Sequence, residues 1–416
     1  MKIMGWFENN YVTRNGNVIT IASLQNADSV NQFIAAMHHG YKKAKYEDFT
    51  IAFDKSIQGV YPNAVVPICG LIEFFRREKK LSIEGKSYDA NLQAILTPYE
   101  LPTHKENLSH ALNKIWKFQN GSDVCEIQTA IVNELRRMDT FAPGILEGIE
   151  WSINEIMDNV LNHSESPCGF IMGQLHKTSK HVAFTIYDAG IGIYKSLKDS
   201  IHAPRKNADA LTMCIKAGVT RDKRVGQGNG MNGLFSLVKE GNGRLVITSG
   251  RDSYEYVDGH GTIREGEHQH PTNQNFSTTV DFQLDYSRDI SIEKVLTFQG
   301  KTFEFTNLYS ENLENERGEL VFNIAELAEG TGTRDSALRL KNEIINLISA
   351  KSQIAVLDFE GVSVATSSFI DELVAKLLVD LGLFQFNQRI KLINMSKLLQ
   401  QTLQKSVIQR IIEEYK

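Results

Sequence analysis

Val18–Ser23 (VITIAS) is a short β-branched run with turn residues on either side, the pattern of a strand. Asp28 or Ser29 then stands where a helix cap is wanted, ahead of a helical stretch reaching about Lys43. Phe49–Asp54 (FTIAFD) predicts a second strand. A turn containing Gly59, Pro62 and Asn63 leads into an apolar helix over Ala64–Glu78, followed by a strand at Leu81–Glu84. Such alternation predicts a small α/β layer. From about Leu108 to Val160 the spacing turns helical, with Pro143 placed to open the helix that carries Ile149, Ile153, Ile156 and Val160. Strands follow at Gly169–Leu175 and Val182–Tyr187, then a Gly- and Lys-rich stretch to about Gly230. Two more strands, Arg244–Thr248 and Thr278–Leu284, enclose a polar loop, Arg251–Asn275. The rest alternates again: strand Glu319–Asn323, a GTGTR turn at Gly330–Arg334, helix Asp335–Ser349, strand Ile354–Phe359, helix Ser368–Leu381, strand Arg389–Ile393 and a closing helix.

The segments starting at Phe49 and at Gln353 share this element order. Asp54 and Asp358 each end an expected strand, and a helix follows each after a short polar turn. Either one module occurs twice, or two α/β layers share a common rhythm.

Composition narrows the class. Of the 416 residues, 42% are apolar and 23% charged, which is ordinary for folded protein and excludes disordered and collagen-like chains. The net charge of −5 argues against a nucleic-acid binder acting through bulk positive charge. The start, MKIMGWFENNYVTRNG, has no apolar h-region, and no apolar run approaches the ~18 residues of a spanning helix. Cys69, Cys125, Cys168 and Cys214 are widely spaced and form no CxxC, as expected of thiols in a reducing, cytoplasmic setting.

Three segments carry chemistry. In EWSINEIMDNVLNHS (Glu150–Ser164), Glu155, Asn159 and His163 fall on one helix face, while Ile153, Ile156, Met157 and Val160 point largely the other way. The Asn oxygen suits a hard cation such as Mg²⁺, and the Glu could polarise a water for attack on phosphorus. In VAFTIYDAGIGI (Val182–Ile193), a strand ends in Asp188, which could accept from an amino group such as that of adenine. Gly190 and Gly192 let the backbone bend around a flat ring. In RDKRVGQGNGMNGLFSL (Arg221–Leu237), Gly226, Gly228 and Gly230 precede a helical stretch and could cradle an anion, with Arg221, Lys223 and Arg224 beside them. Neither a Rossmann layout nor a Walker A motif is present.

In order and spacing, NEIMDNVLNHS, DAGIG and GQGNG resemble the N, G1 and G2 boxes of the GHKL ATPase superfamily, over roughly Leu108–Asp285. The resemblance implies a central Bergerat-type α/β sandwich that binds ATP and Mg²⁺. On matching positions, Glu155 would be the general base, Asn159 the Mg²⁺ ligand and Asp188 the adenine acceptor. Gly190 and Gly192 would be the glycines of the adenine-side loop, with Gly226, Gly228 and Gly230 on the phosphate side beside Arg224. Tyr194–Val225 would form a lid, and Thr278 would help hold adenine through water, although Ser277 stands where a Gly usually precedes it. An autophosphorylating histidine kinase is disfavoured, since His110 lacks the expected acidic neighbour and following Pro. The topoisomerase and mismatch-repair branches are disfavoured by the absence of a recognisable transducer domain.

AVLDFEGVSVATSSFIDELVAKLL, after the GTGTRDSALRLKNEI helix, resembles the STAS-like domains of bacterial regulators. Ser367 and Ser368 occupy the loop in which anti-sigma-type kinases phosphorylate a Ser, though helix capping would also suit them. The expected architecture is α/β with three parts: 1–105, a second STAS-like candidate; 106–290, the GHKL ATP-binding domain; and 291–416, the STAS-like domain. The expected function is an ATP-hydrolysing regulator that switches the conformation or assembly of the STAS-like parts, with a protein partner or a second copy. The alternatives are a serine/threonine kinase of anti-sigma type and a non-hydrolysing ATP-sensing scaffold. His260, His268 and His270 could offer imidazoles to a metal, but no fourth ligand is evident and a solvated loop is expected. Lys42, Lys43 and Lys45 are expected to form a solvated face at a helix end.

Overall fold

The computed structural model describes residues 10–219, 229–295, 297–298, 301–302, 313–328, 333–350, 353–362 and 364–414. The chain is α/β, and it divides into two compact units. The first is drawn from Met1–Leu135, Gly148–Tyr286 and Phe298–Gly300, the second from Arg136–Glu147, Ser287–Thr297 and Lys301–Lys416.

The first unit opens with β1 (Val12–Asn15), β2 (Val18–Ser23), α1 (Ala27–His38), β3 (Asp48–Gln58), α2 (Pro62–Glu78), β4 (Ser82–Gly85) and α3 (Ala90–Leu96). The β1–β2 hairpin is antiparallel, and β2, β3 and β4 run parallel in sequential order. Helix α1 is capped by Asn26, whose side chain accepts from the Asp28 N–H, rather than by Asp28 or Ser29. A π-helical turn, His39–Lys43, then extends it. Asp54 does not end its strand. The β2–β3 register shifts between Ile21 and Ser23, and there Asp54 Oδ1 accepts from both the N–H and the hydroxyl of Ser56 before pairing resumes at Gln58.

A second, eight-stranded sheet is built from β5 (Tyr99–Glu100), β6 (Trp116–Phe118), β7 (Gly169–His176), β8 (His181–Asp188), β9 (Arg244–Ser249), β10 (Asp252–Val257), β11 (His260–Arg264) and β12 (Thr278–Asp285). Its order is β11-β10-β9-β12-β8-β7-β6-β5. Helices α4 (Gly121–Met138) and α5 (Ile145–His163) precede β7. Helices α6 (Gly192–Leu197), α7 (Asn207–Cys214) and α8 (Gly230–Glu240) lie between β8 and β9. Pro143 stands just outside α5, and Gly144, with φ +82°, turns the chain into it. The expected polar loop 251–275 contains the β10–β11 hairpin. Its two-residue turn, Asp258-Gly259, has positive φ at both positions, as a right-twisted hairpin requires.

Helix α2 joins the two sheets. Val65, Val66, Ile68, Leu71, Ile72 and Phe74 are among the buried residues that cover it on all sides, so it must be enclosed. It packs on β7 and β8 as well as on α1 and β4. One apolar cluster accordingly runs from Phe33 and Phe49 through α2 to Phe170, Met172 and Tyr187, spanning segments expected as 1–105 and 106–290. Gly70 permits the close approach, because a Cβ there would lie 2.3 Å from the Tyr187 ring. Gly70→Ala should destabilise by about 1–3 kcal/mol despite the better helix propensity of Ala, measured as a lower urea midpoint. A neutral or stabilising result would mean that α2 is free to move off β8.

The second unit contains β13 (Leu320–Asn323), α9 (Arg334–Ala350), β14 (Ala355–Asp358), α10 (Ser367–Ile370), a π-helical turn Asp371–Ala375, α11 (Lys376–Arg389), β15 (Ile390–Ile393) and α12 (Lys397–Glu414). Its three strands are parallel and sequential, like β2-β3-β4. Asp358 does end its strand, where it accepts from Glu360 N–H and Asn394 Nδ2. Helix α11 breaks at Gly382, with φ 75° and ψ 153°, next to the expected helix end at Leu381. The π-turn carries a network of charges. Glu372 meets Lys376 at 2.6 Å and Lys341 at 3.8 Å, Lys341 meets Asp380 at 2.7 Å, and Arg410 binds both oxygens of Asp371. Glu372 and Lys341 are buried, and this mutual pairing is what makes their burial tolerable.

Candidate functional site

Helix α5 buries Ile153, Ile156, Met157 and Val160 and leaves Glu155, Asp158, Asn159 and His163 half-buried, as the pattern requires. Glu155 and Asn159 meet the first residue of α8. A Cβ on Gly230 would fall 2.4 Å from Glu155 Oε2 and 3.4 Å from Asn159 Nδ2. Asn229, the N-cap residue of α8, makes no side-chain cap bond, and the positive dipole end of the helix lies beside a carboxylate and a carboxamide. Asn229 Oδ1 accepts from Gly218 N–H, and Asn232 Nδ2 donates to the Ile215 carbonyl, tying the segment after α7 to the start of α8. Burial, reinforced by the neighbouring Asp158, pushes the Glu155 carboxyl up to about 7. Burial raises Asp158 as well. A carboxyl poised near neutrality suits proton uptake.

The second cluster forms at the end of β8. Asp188 is only 4% exposed, and burial pushes its carboxyl up to about 7, against a lowering by the Gly190 N–H that donates to Oδ1 at 2.8 Å. Gly190 admits no side chain, since a Cβ would lie 2.0 Å from the Ser164 carbonyl, which accepts from Ile191 N–H. At Gly192, φ is +79°, and a Cβ would crowd Phe276 and Ser249. Thr278 lies opposite Asp188 in the β12–β8 register and opposite Ser249 in the β12–β9 register. Ser277, just before it, has φ +55°, the left-handed region that favours glycine, and its N–H donates to Gly190 O.

Glu155, Asn159 and Gly230 thus form one group, and Asp188, Gly190, Gly192 and Thr278 another. Both touch α5, the first along its length and the second just past its end at Ser164. Arg224, Gly226 and Gly228 lie outside the described residues, as do Arg221 and Lys223.

Sequence reasoning passed over the residues that hold the second group in place. Buried Ser249 accepts from Ile193 N–H and donates to the Ser277 carbonyl, each at 3.0 Å, and its own carbonyl accepts from Asn207 Nδ2. Asn275 Nδ2 donates to Ala189 O at 3.1 Å. The available signal was Ser249-Gly250, a small polar residue closing an apolar strand before a left-handed glycine.

Of the histidines expected in a solvated loop, His260 is exposed as expected and the other two are placed otherwise. His260 starts β11, His268 is buried against the Ser253 hydroxyl at 2.9 Å, and the His270 ring packs on Phe276. Among the described residues no three His, Cys, Asp or Glu side chains converge as they would on a metal. In the second unit Thr366, not either serine, caps α10, accepting from Phe369 N–H at 3.1 Å. Ser367 and Ser368 are exposed.

Residues 336–400, from α9 to the start of α12, match the model of a STAS-like domain of unknown function (DUF4325), about a sixth of the chain. No curated protein matches the chain.

Proposed function

We propose that the first unit binds Mg²⁺-ATP and hydrolyses it, and that the nucleotide state is passed to the STAS-like segment. The observation that carries this reading is the double attachment of α5. Its middle sets Glu155 and Asn159 against the N-terminus of α8, and its end supports the glycine loop that follows buried Asp188. The donor chemistry fits the nucleotide. The Asn159 amide oxygen is a neutral ligand for Mg²⁺, which would supply charge neutralisation between phosphates. The α8 N-terminus suits phosphate oxygens. Asp188 has one oxygen engaged by Gly190 and the other available to the amino group of adenine. Glu155 would take the proton from an attacking water. The left-handed Ser277 adds support, because it adopts the backbone shape for which the GHKL pattern uses glycine.

Phosphate release by wild type, Glu155→Ala and Asn159→Ala, with ATP binding followed in parallel, tests the proposal. Turnover lost in Glu155→Ala with ATP still bound, and binding weakened in Asn159→Ala, is the expected result. Binding without turnover by the wild type would leave an ATP-sensing scaffold, and no binding would remove the reading.

A serine kinase is the second reading. Its support is the cap at Thr366, which leaves the exposed hydroxyls of Ser367 and Ser368 unneeded for capping. Transfer of label from γ-labelled ATP that Ser367→Ala or Ser368→Ala abolishes would favour it over hydrolysis.

A further inference from the structure

Between Arg264, which ends β11, and Thr278, which begins β12, the chain has no regular structure, yet both halves of this strap are tied down. Its first half is held by the N-terminal sheet module. Asn31, on α1 and only 4% exposed, accepts from Gln269 N–H at 2.9 Å and donates to Glu267 O at 3.3 Å, so its amide pairs with the strap backbone as a strand would. Two helical turns on, His38 Nε2 lies 2.6 Å from Pro271 O. A carbonyl only accepts, so Nε2 is the donor. The imidazole is set edge-on to Tyr41 and Phe75.

The second half of the strap is bonded to the loop after Asp188. Lys195 Nζ, on α6, donates to Asn273 O at 2.6 Å and Gln274 O at 2.9 Å and stands 4.3 Å from the centre of the Phe276 ring. Asn275 donates to Ala189 O, and Ser277 donates its N–H to Gly190 O. Thr272 Oγ1 donates to Asn275 Oδ1, which orients the Asn275 amide towards Ala189. The only covalent slack between the Pro271 clamp and Thr278 is therefore bonded at nearly every residue.

We propose that Asn31 and His38 are positioning residues of the adenine-side loop: by clamping the strap they fix Asp188 and Gly190 relative to Thr278, so that a shift of α1 changes base binding. This rests on the nucleotide reading above. Asn31 and His38 touch neither Asp188 nor the α8 N-terminus, so the effect reaches the base end of the site and spares the phosphate end. It also gives the N-terminal module a regulatory role, because a ligand or partner that moves α1 would alter affinity for adenine nucleotides.

The test uses the full chain with Asn31→Ala, His38→Ala and His38→Gln, the last keeping an N–H donor for Pro271 O. Amide exchange is followed without nucleotide at Ile191, Ile193 and Ser277, and binding is titrated with Mg²⁺-ATP and with Mg²⁺-tripolyphosphate. Exchange in the loop should quicken and ATP binding weaken by about tenfold in the alanine variants. Tripolyphosphate binding should stay within about twofold, and His38→Gln should recover most of the wild-type behaviour. Equal weakening towards both ligands, or no rescue by Gln, would reduce the two residues to general stability and overturn the proposal, as would unchanged loop exchange. If wild type binds neither ligand the nucleotide reading falls, and the exchange measurement still decides whether α1 holds the loop.

Discussion

Glu155→Gln should lower Mg²⁺-dependent phosphate release from ATP by about 100-fold or more while ATP remains bound. Gln has the size of Glu, so the close contact with Gly230 survives, and what is lost is the group that accepts a proton. The pH profile gives the second half of the prediction. Burial and the neighbouring Asp158 hold the Glu155 carboxyl at about 7, and only the ionised form can act as a base. Turnover should therefore rise with pH through about 7 and level off above it. Asp158→Asn removes a negative neighbour, makes ionisation of Glu155 easier and should move that rise to lower pH. A Glu155→Gln variant within threefold of wild type, measured as phosphate release at saturating ATP, would end the proposed general-base role. Equal loss of binding and turnover would recast Glu155 as a ligand-holding residue.

Much of this was legible in the residues, and the exceptions share a physical cause. The apolar run Ala64–Phe75 announces a helix that must be enclosed, but nothing local says that its second face belongs to the eight-stranded sheet. That follows only from Gly70 lying against Tyr187, residues far apart in sequence. The β10–β11 hairpin is hidden because it forms the sheet edge, where His260–Arg264 keeps mostly exposed, polar side chains. Its one clear signal was the Asp258-Gly259 turn between Tyr256 and the next strand. Asp54 misleads because a bulge looks like a strand end when only hydrophobicity is read. At the site, residues acting through side chains on one helix or one strand end, Glu155, Asn159 and Asp188, are visible as spaced types. Ser249, Asn275 and Asn31 bond with their side chains to backbone groups across long sequence separations, and no local spacing encodes those partners.

Asp188→Asn should separate stability from binding in opposite directions, raising the first at neutral pH and abolishing the second. The folded pKa of Asp188 stands at about 7, raised by burial, against roughly 3.9 for an unfolded Asp. Between these values the native state holds the proton more tightly than the unfolded chain does. Stability must then fall as pH rises from about 4 to about 7, by at most about 1.4 kcal/mol per pH unit for this group. Glu155, at about 7, and Asp281, at about 6, carry the same sign, so ligand-free protein should show a lower urea midpoint at pH 7.5 than at pH 5. Asn cannot ionise, so the variant should have a flatter profile and exceed wild type above pH 7. Its side chain retains an oxygen to accept from Gly190 N–H, which turns the Asn nitrogen towards the place of the second carboxylate oxygen. There a donor would face the amino group of adenine, another donor, and ATP binding should be lost. A variant less stable than wild type at pH 7.5 would show that the ionised carboxylate has a structural partner. One that still binds ATP as tightly would place the base elsewhere. If both outcomes are met, Asp188 would be a carboxylate that lowers the stability of the empty protein at neutral pH and is needed only when adenine is present, which is the behaviour of a binding group.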